Sequence, residues 1–281
     1  MNDLDPTLAE SHFAFGRNWS EYARKITEAE IEEAEKGLLR LFERDQINGA
    51  RFLDIGSGSG LHCLAALRLG ASEVAAIDID NDSVETTRAV LERYAPGKKW
   101  LAERVSVLEF SPDRMGLFDV VYSWGVLHHT GNMYRAIKRA ASVVNTNGLF
   151  AFALYRRIWM DPFWRYEKKW YAHATSDAQA RARGVYVALF RLGLLFTGRR
   201  YADYVQDYRN NRGMDFYHDV HDWMGGWPYE SITADEVEGM MQELGFRSEK
   251  VFSRHGRILG RDLGIFSSGC DEYVYRRMDK A

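Results

Sequence analysis

Three short stretches hold residues whose types and spacing suit chemistry. The first is Asp54-Ile-Gly-Ser-Gly-Ser-Gly60. Glycines at positions 56, 58 and 60, with Ser57 between the first two, let the backbone turn sharply and approach a ligand with no Cβ in the way, while the free amides of a helix opening there face that ligand. Dinucleotide enzymes use a related Gly-x-Gly-x-x-Gly at such a turn. Here the third glycine, Gly60, arrives one residue early, Leu61 stands where that pattern has Gly, and the acid Asp54 precedes the turn. A carboxylate there suits a cationic amino-acid ligand better than a pyrophosphate. The second stretch, Ala76-Ile-Asp-Ile-Asp80, puts Asp78 22 residues beyond Gly56, where an acid can accept two hydrogen bonds from a ribose diol. An adenosine-like ribose is the expected partner. The alternative use of an acid here is to cap the next helix, a role open to Asp80 or Asp82, Asp82 being favoured, but not to Asp78. The third stretch, Phe118-Asp-Val-Val-Tyr-Ser-Trp-Gly-Val-Leu-His-His-Thr130, runs from an apolar strand into a polar tip with paired histidines. Ligands of open α/β sheets bind beyond the carboxyl ends of the strands, so Ser123, Trp124, His128 and His129 should face the cleft, with one histidine as general base and the other capping or packing.

The elements that position these residues follow from hydrophobic periodicity. Residues 20–42 read as an amphipathic helix, with Ile26, Ile31, Leu38, Leu39 and Phe42 near one face. From Arg51 onward short apolar runs at 51–55, 73–77, 104–108, 118–122 and 148–154 alternate with helical stretches at 60–69, 82–94 and 132–144. Such a rhythm predicts a doubly wound, mostly parallel sheet of the Rossmann-like kind. Residues 155–227 lack strand spacing and are rich in aromatic and basic side chains, which predicts a mainly helical insertion after the fifth strand. A helix at 233–244 and strands at 246–252 and 271–275 complete seven strands. The domain expectation is a helical cover at 1–48, an α/β core at 49–154, a helical insertion on the substrate side at 155–230, and completion of the core at 231–281.

Composition narrows the function classes. The 281 residues, 46% hydrophobic, are ample for a continuous core. The most apolar stretch, 185–196, is interrupted by Arg191 and falls short of the roughly 20 residues of a membrane-spanning helix. No basic segment of a secretory signal opens the sequence, so a cytoplasmic location is expected. Cys63 and Cys270 lack metal-ligand spacing and read as reduced thiols, with no metal site expected. The net charge of −3 conceals an asymmetry, because residues 155–212 hold twelve Lys or Arg and five Asp or Glu. That basic segment suggests an anionic partner, such as a phosphorylated acceptor, a membrane surface or nucleic acid, or is simply a solvated face.

In combination the three stretches resemble the class I S-adenosylmethionine-dependent methyltransferases, over about residues 50–154. The resemblance implies S-adenosyl-L-methionine as cofactor, with the Gly56–Gly60 turn at its methionine portion, Asp78 and the adjoining Ile79 at the ribose, Val107 and Leu108 at the adenine, Asp54 ordering the turn, and Ser123 to Val126 near the methyl donor. Phe15-Gly-Arg-Asn-Trp19, Asn211-Arg-Gly-Met214, His221-Asp-Trp-Met-Gly-Gly-Trp-Pro-Tyr-Glu230 and Gly269-Cys-Asp-Glu-Tyr-Val-Tyr275 are similar to a bacterial methyltransferase subgroup related to quinone-biosynthesis methylases. Methyl transfer is an in-line displacement that needs alignment in a dry site. For a hydroxyl acceptor, His128 or His129 is the candidate base. Trp19 or Trp124 could stabilise a sulfonium through its aromatic face. Arg17, Trp19, Arg212, His221, Trp223, Trp227 and Tyr229 suit an anionic or ring-bearing small-molecule acceptor. The expected reaction is methylation of a small molecule, at oxygen. An RNA or protein methyltransferase, prompted by the basic segment, and a noncatalytic cofactor-binding module are the alternatives. Aromatic density in the insertion permits a homodimer without requiring one.

Overall fold

The computed structural model describes residues 26–196, 198–212, 216–253 and 269–279, together with Trp19 and Ala23. Strands β1 (Arg51–Ile55), β2 (Glu73–Asp78), β3 (Trp100–Arg104), β4 (Phe118–Trp124), β5 (Val144–Tyr155), β6 (Phe246–Phe252) and β7 (Cys270–Arg277) form one sheet in the order β3-β2-β1-β4-β5-β7-β6. The first five run parallel, and β7 is antiparallel to both β5 and β6. Chain order reverses at β1, so the sequence moves outward through β2 and β3 and then returns to β4. That switch opens a crevice at the carboxyl ends of β1 and β4, where ligands of such sheets bind.

Helices α1 (Glu28–Leu41), α2 (Arg44–Ile47), α3 (Leu61–Arg68), α4 (Asn81–Tyr94), α5 (Pro112–Met115) and α6 (Met133–Ser142) precede or connect the parallel strands. They are placed by ordinary signals. Thr27 and Glu30 make a capping box at the start of α1, and Ile31, Ala34, Leu38 and Leu41 form its buried stripe. The Asp80 carboxylate caps α4 by accepting from the Asp82 and Ser83 amides. The cap is therefore Asp80, not Asp82, because the helix starts at Asn81. A second difference concerns β3, which ends at Arg104 instead of running from 104 to 108. Val105 leaves the strand with its amide donating to the Asp78 carbonyl, and Val107 and Phe110 then turn into the core on one side of the sheet. Apolar content alone does not tell a strand from a buried loop of the same length.

Both faces of the sheet are covered, one by α1, α3 and α4 around Phe52, Val74, Ala76 and Val120, the other by α6 and α11 (Ala234–Glu243) around Leu53, Val121, Phe150 and Tyr273. Between β5 and α11 stand α7 (Asp161–His173), α8 (Ser176–Phe196), α9 (Tyr201–Arg212) and α10 (Phe216–Gly225). These have their own apolar cluster around Tyr171, Phe216, Val220 and Met224. Among the described residues no helix is long and apolar enough to cross a membrane.

Candidate functional site

The turn after β1 is built so that only glycine fits. Gly56, Gly58 and Gly60 have φ of 79°, 52° and 75°, a region that L side chains rarely occupy. A Cβ at Gly56 would lie 2.3 Å from Val126 Cγ2, and one at Gly60 would lie 2.9 Å from the Thr87 Cα on α4. The turn is held to β2 by the Gly56 amide, which donates to the Ile77 carbonyl at 2.7 Å, and by the Gly58 amide, which donates to Asp78 Oδ2 at 3.1 Å. The other Asp78 oxygen accepts from the Asp80 amide at 3.0 Å. Ser57 and Thr87 share a hydroxyl contact of 3.0 Å, which ties α4 to the same turn.

Two carboxylates end adjacent strands here. Asp54 is buried and accepts from the Cys63 thiol at 3.2 Å. Burial raises its pKa from an ordinary 3.8 to about 7, with the neighbouring Asp78 adding to the rise. Asp78 is raised to about 6, again chiefly by desolvation and against the pull of its two amide donors. His62, the second residue of α3, packs on Tyr122 with ring centroids 5.0 Å apart and is lowered to about 4 by burial. Trp19 lies over the turn, with ring atoms 3.1 to 3.2 Å from where a Cβ on Gly58 would be. Beyond β2, Ile79 is half-buried and its carbonyl accepts from Arg104 Nε at 3.0 Å, Val107 is buried, and Leu108 is half-buried with its amide donating to Ser106 Oγ.

At the tip of β4 the expected cleft residues separate. Trp124 is 42% exposed, but Ser123 is fully buried and its hydroxyl donates to the Ile55 carbonyl at 3.0 Å. Ser123 therefore joins β4 to β1 and does not face the cleft, because its place in the strand turns it into the sheet. His128 and His129 occupy a single 3-10 turn, Leu127–His129. Their ring centroids lie 4.3 Å apart, with the planes tilted by 59°. His128 is wholly buried, 3.9 Å from the Tyr155 ring and beside the Ala153 backbone. Desolvation, helped by the nearby His129 and Lys168, holds it well below the usual histidine range and so neutral. His129 is half-buried, with Nδ1 2.7 Å from the Pro228 carbonyl. A carbonyl only accepts, so Nδ1 carries the proton and donates, which leaves Nε2 as the acceptor nitrogen. Gly226 makes room for this ring, since a Cβ there would lie 2.7 Å from His129 Cε1.

The segment 225–230 is docked on the histidine turn by the Glu230 amide, which donates to the His128 carbonyl at 3.1 Å, and by Glu230 Oε2, which accepts from the Met133 amide at 2.9 Å. Trp223, Trp227 and Tyr229 converge there with Tyr155 and Trp164. The Tyr229 hydroxyl is already engaged, donating to Asp161 Oδ1 at 2.7 Å, so Tyr229 presents only its ring. The buried Trp223 Nε1 has no acceptor among the described residues. Lys168 is wholly buried below this cluster, donates to the Trp223 carbonyl, and lies 3.5 Å from the Trp223 ring centroid, its pKa lowered by desolvation. His221 stands in a different network, its Nδ1 2.7 Å from the Tyr171 hydroxyl and 3.1 Å from Arg183 Nη1. Arg17 and the side chain of Arg212 lie outside the described residues. Sequence reasoning passed over His62, Thr87 and Asp161, and gave Cys63 and Gly226 no part in the site. Only the Gly225-Gly226 pair carried a local signal, and it reads equally well as an ordinary turn.

A methyltransferase-domain family matches residues 22–251, and the chain belongs to it. Its sheet has the class I S-adenosylmethionine-dependent methyltransferase fold. Solved structures of that fold include the magnesium protoporphyrin IX methyltransferase of Synechocystis PCC 6803 with bound S-adenosylhomocysteine, at a TM-score of 0.51 and 15% identity over 88% of this chain and 83% of that one. The N-methyltransferase NodS of Bradyrhizobium japonicum WM9 gives 0.50 and 14% over 94% and 98%. Among curated proteins, the ubiquinone biosynthesis O-methyltransferase of Bradyrhizobium sp. (strain ORS 278) is 30% identical over 125 residues, 43% of this chain and 47% of that protein. The ribosomal protein L11 methyltransferase of Dechloromonas aromatica (strain RCB) is 47% identical over 55 residues, 20% of this chain and 19% of that protein. The chain thus matches less than half the length of either curated relative.

Proposed function

We propose that this protein transfers a methyl group from S-adenosylmethionine to the oxygen of a small, ring-bearing acceptor. The donor set fits that cofactor. Asp54 and Asp78 are carboxyls whose ionised forms are penalised by burial, and such groups gain most from a cationic ligand and from the paired hydroxyl donors of a ribose. When bound, the cofactor supplies a methyl carbon activated by a sulfonium. Asp78 takes the ribose, the Gly56–Gly60 turn and Asp54 the amino-acid end, Ile79, Val107 and Leu108 the adenine, and the ring of Trp19 closes over the turn at Gly58.

One observation carries the choice of oxygen. The contact of His129 Nδ1 with the Pro228 carbonyl fixes the tautomer in which Nε2 can remove a proton from an acceptor hydroxyl as it attacks. A phenol or enol needs such a base, whereas an amine nucleophile does not. Trp223, Trp227 and the ring of Tyr229 supply aromatic walls for a cyclic acceptor, and the orphaned Trp223 Nε1 supplies a donor. The ubiquinone O-methyltransferase relative agrees with this choice. The test is transfer of a labelled methyl group from S-adenosylmethionine to a panel of phenols, amines and thiols. His129→Gln should lower turnover on the best phenol by about 100-fold while leaving cofactor affinity unchanged. Preference for amines, with His129→Gln at full rate, would contradict oxygen methylation.

A further inference from the structure

The helices that carry the aromatic wall turn a second face outward that no described element covers. Along α7 the side chains Asp161, Trp164, Lys168 and Tyr171 recur at helical spacing and are buried. Phe163, Tyr166 and Trp170 recur with the same period on the other side, and they are 50%, 74% and 45% exposed. Val185, Leu189, Leu192 and Leu195 make a matching stripe on α8, between 52% and 71% exposed. An open apolar cleft of about 630 Å³ lies between the two helices, with Phe163 and Trp170 on one side and Val185 and Leu189 on the other. Isolated exposed apolar residues need no explanation, but a continuous face of this kind marks an interaction surface.

The charge around the face is mostly positive, with Asp177 in the first turn of α8 as its exposed acid and Glu167 lining the cleft. Asp161 is buried, where it accepts from Tyr229 and Ser231, and both carboxylate oxygens of Glu167 are buried. The exposed charges of α7 beyond its first turn are therefore Arg165 and Lys169. From residue 178 to residue 202 the sequence holds five arginines and no acid. Arg181 lies one turn before Val185 on the same stripe, and Arg191 beside Leu192 is exposed. Aromatic rings, aliphatic side chains and a rim of Arg and Lys on one helical face are the composition of a helix that lies in a lipid interface.

We propose that the α7–α8 face docks on an anionic lipid surface, its apolar stripe and cleft entering the headgroup boundary while the flanking Arg and Lys side chains meet lipid phosphates. This inference does not rest on the choice of methyl acceptor. Full-length protein is co-sedimented with phosphatidylcholine vesicles, with or without about 30% phosphatidylglycerol. Binding is expected only with phosphatidylglycerol, weaker at high salt, with a blue shift of tryptophan emission from Trp170. Leu189→Asp/Leu192→Asp and, separately, Arg181→Glu/Arg191→Glu should each weaken it by at least about tenfold, with an unchanged melting transition showing that the fold is intact. Equal binding to neutral and anionic vesicles, or no binding to either, overturns the proposal. So does a lipid-indifferent dimer that Leu189→Asp/Leu192→Asp dissociates, which would make a second copy of the chain the occupant.

Discussion

Asp54 and Asp78, the carboxyls proposed to hold the cofactor, are kept at a cost in folded stability. Each carboxyl is desolvated and lies near the other, and its donors among the described residues are a thiol for Asp54 and backbone amides for Asp78. Replacing Asp54 with Asn keeps an acceptor for the Cys63 thiol and removes the buried charge. Asp54→Asn should therefore stabilise the ligand-free protein while weakening S-adenosylmethionine binding at least about tenfold, the trade-off expected of a strained functional site. Thermal unfolding and calorimetric titration of the same variant check the two halves. Both acids were legible in the sequence because their positions at strand ends are local properties. Ser123 and Tyr229 were not, because their hydroxyls are claimed by Ile55 and Asp161, each 68 residues away along the chain. A polar residue type does not reveal which distant partner already holds it.

The turns are where the elements meet the chemistry. The Gly56–Gly60 turn was read correctly from glycine spacing, yet the side chains that demand those glycines, Val126 and Thr87, come from other segments. The helical periods placed α3, α4, α6 and α11 within two residues of their limits, since one face of each is buried and repeats every turn. β3 was displaced because its apolar signal belonged to the loop that follows it. Gly226 is the sharper case, as a second glycine beside Gly225 looks like an ordinary breaker. With a Cβ placed 2.7 Å from His129 Cε1, Gly226→Ala should push the ring off the Pro228 carbonyl and lower turnover about tenfold or more. Cofactor affinity should stay the same. Long-range nitrogen spectra of the histidine rings would report the loss of the Nδ1-protonated tautomer. An unchanged tautomer and rate would show that Pro228 does not orient the base.

For the whole molecule, the buried groups link stability to pH in opposite directions. The folded-state values of Asp54 and Asp78, about 7 and about 6, lie above the ordinary 3.8. Their contribution is fully present below about pH 4 and is lost as the pH rises through those values. His62 is shifted down to about 4 from 6.5, so its contribution is present above pH 6.5 and is lost as the pH falls through 4. The stability gained by Asp54→Asn should accordingly grow between about pH 4 and pH 7 and then level off, reaching on the order of a few kcal/mol. Denaturant unfolding of both proteins at several pH values checks this, and a gain independent of pH would place the cause elsewhere. The same arithmetic makes the cofactor's positive charge a stabiliser of the native state near neutral pH.

The most direct test of the account is calorimetric titration of the purified protein with S-adenosylmethionine and S-adenosylhomocysteine, beside Asp78→Ala. The account predicts one site per chain with roughly micromolar affinity for the wild type, and a loss of at least about 100-fold in Asp78→Ala with the fold intact. Folded wild-type protein that binds neither compound, or a variant that binds both as tightly as the wild type, would contradict it.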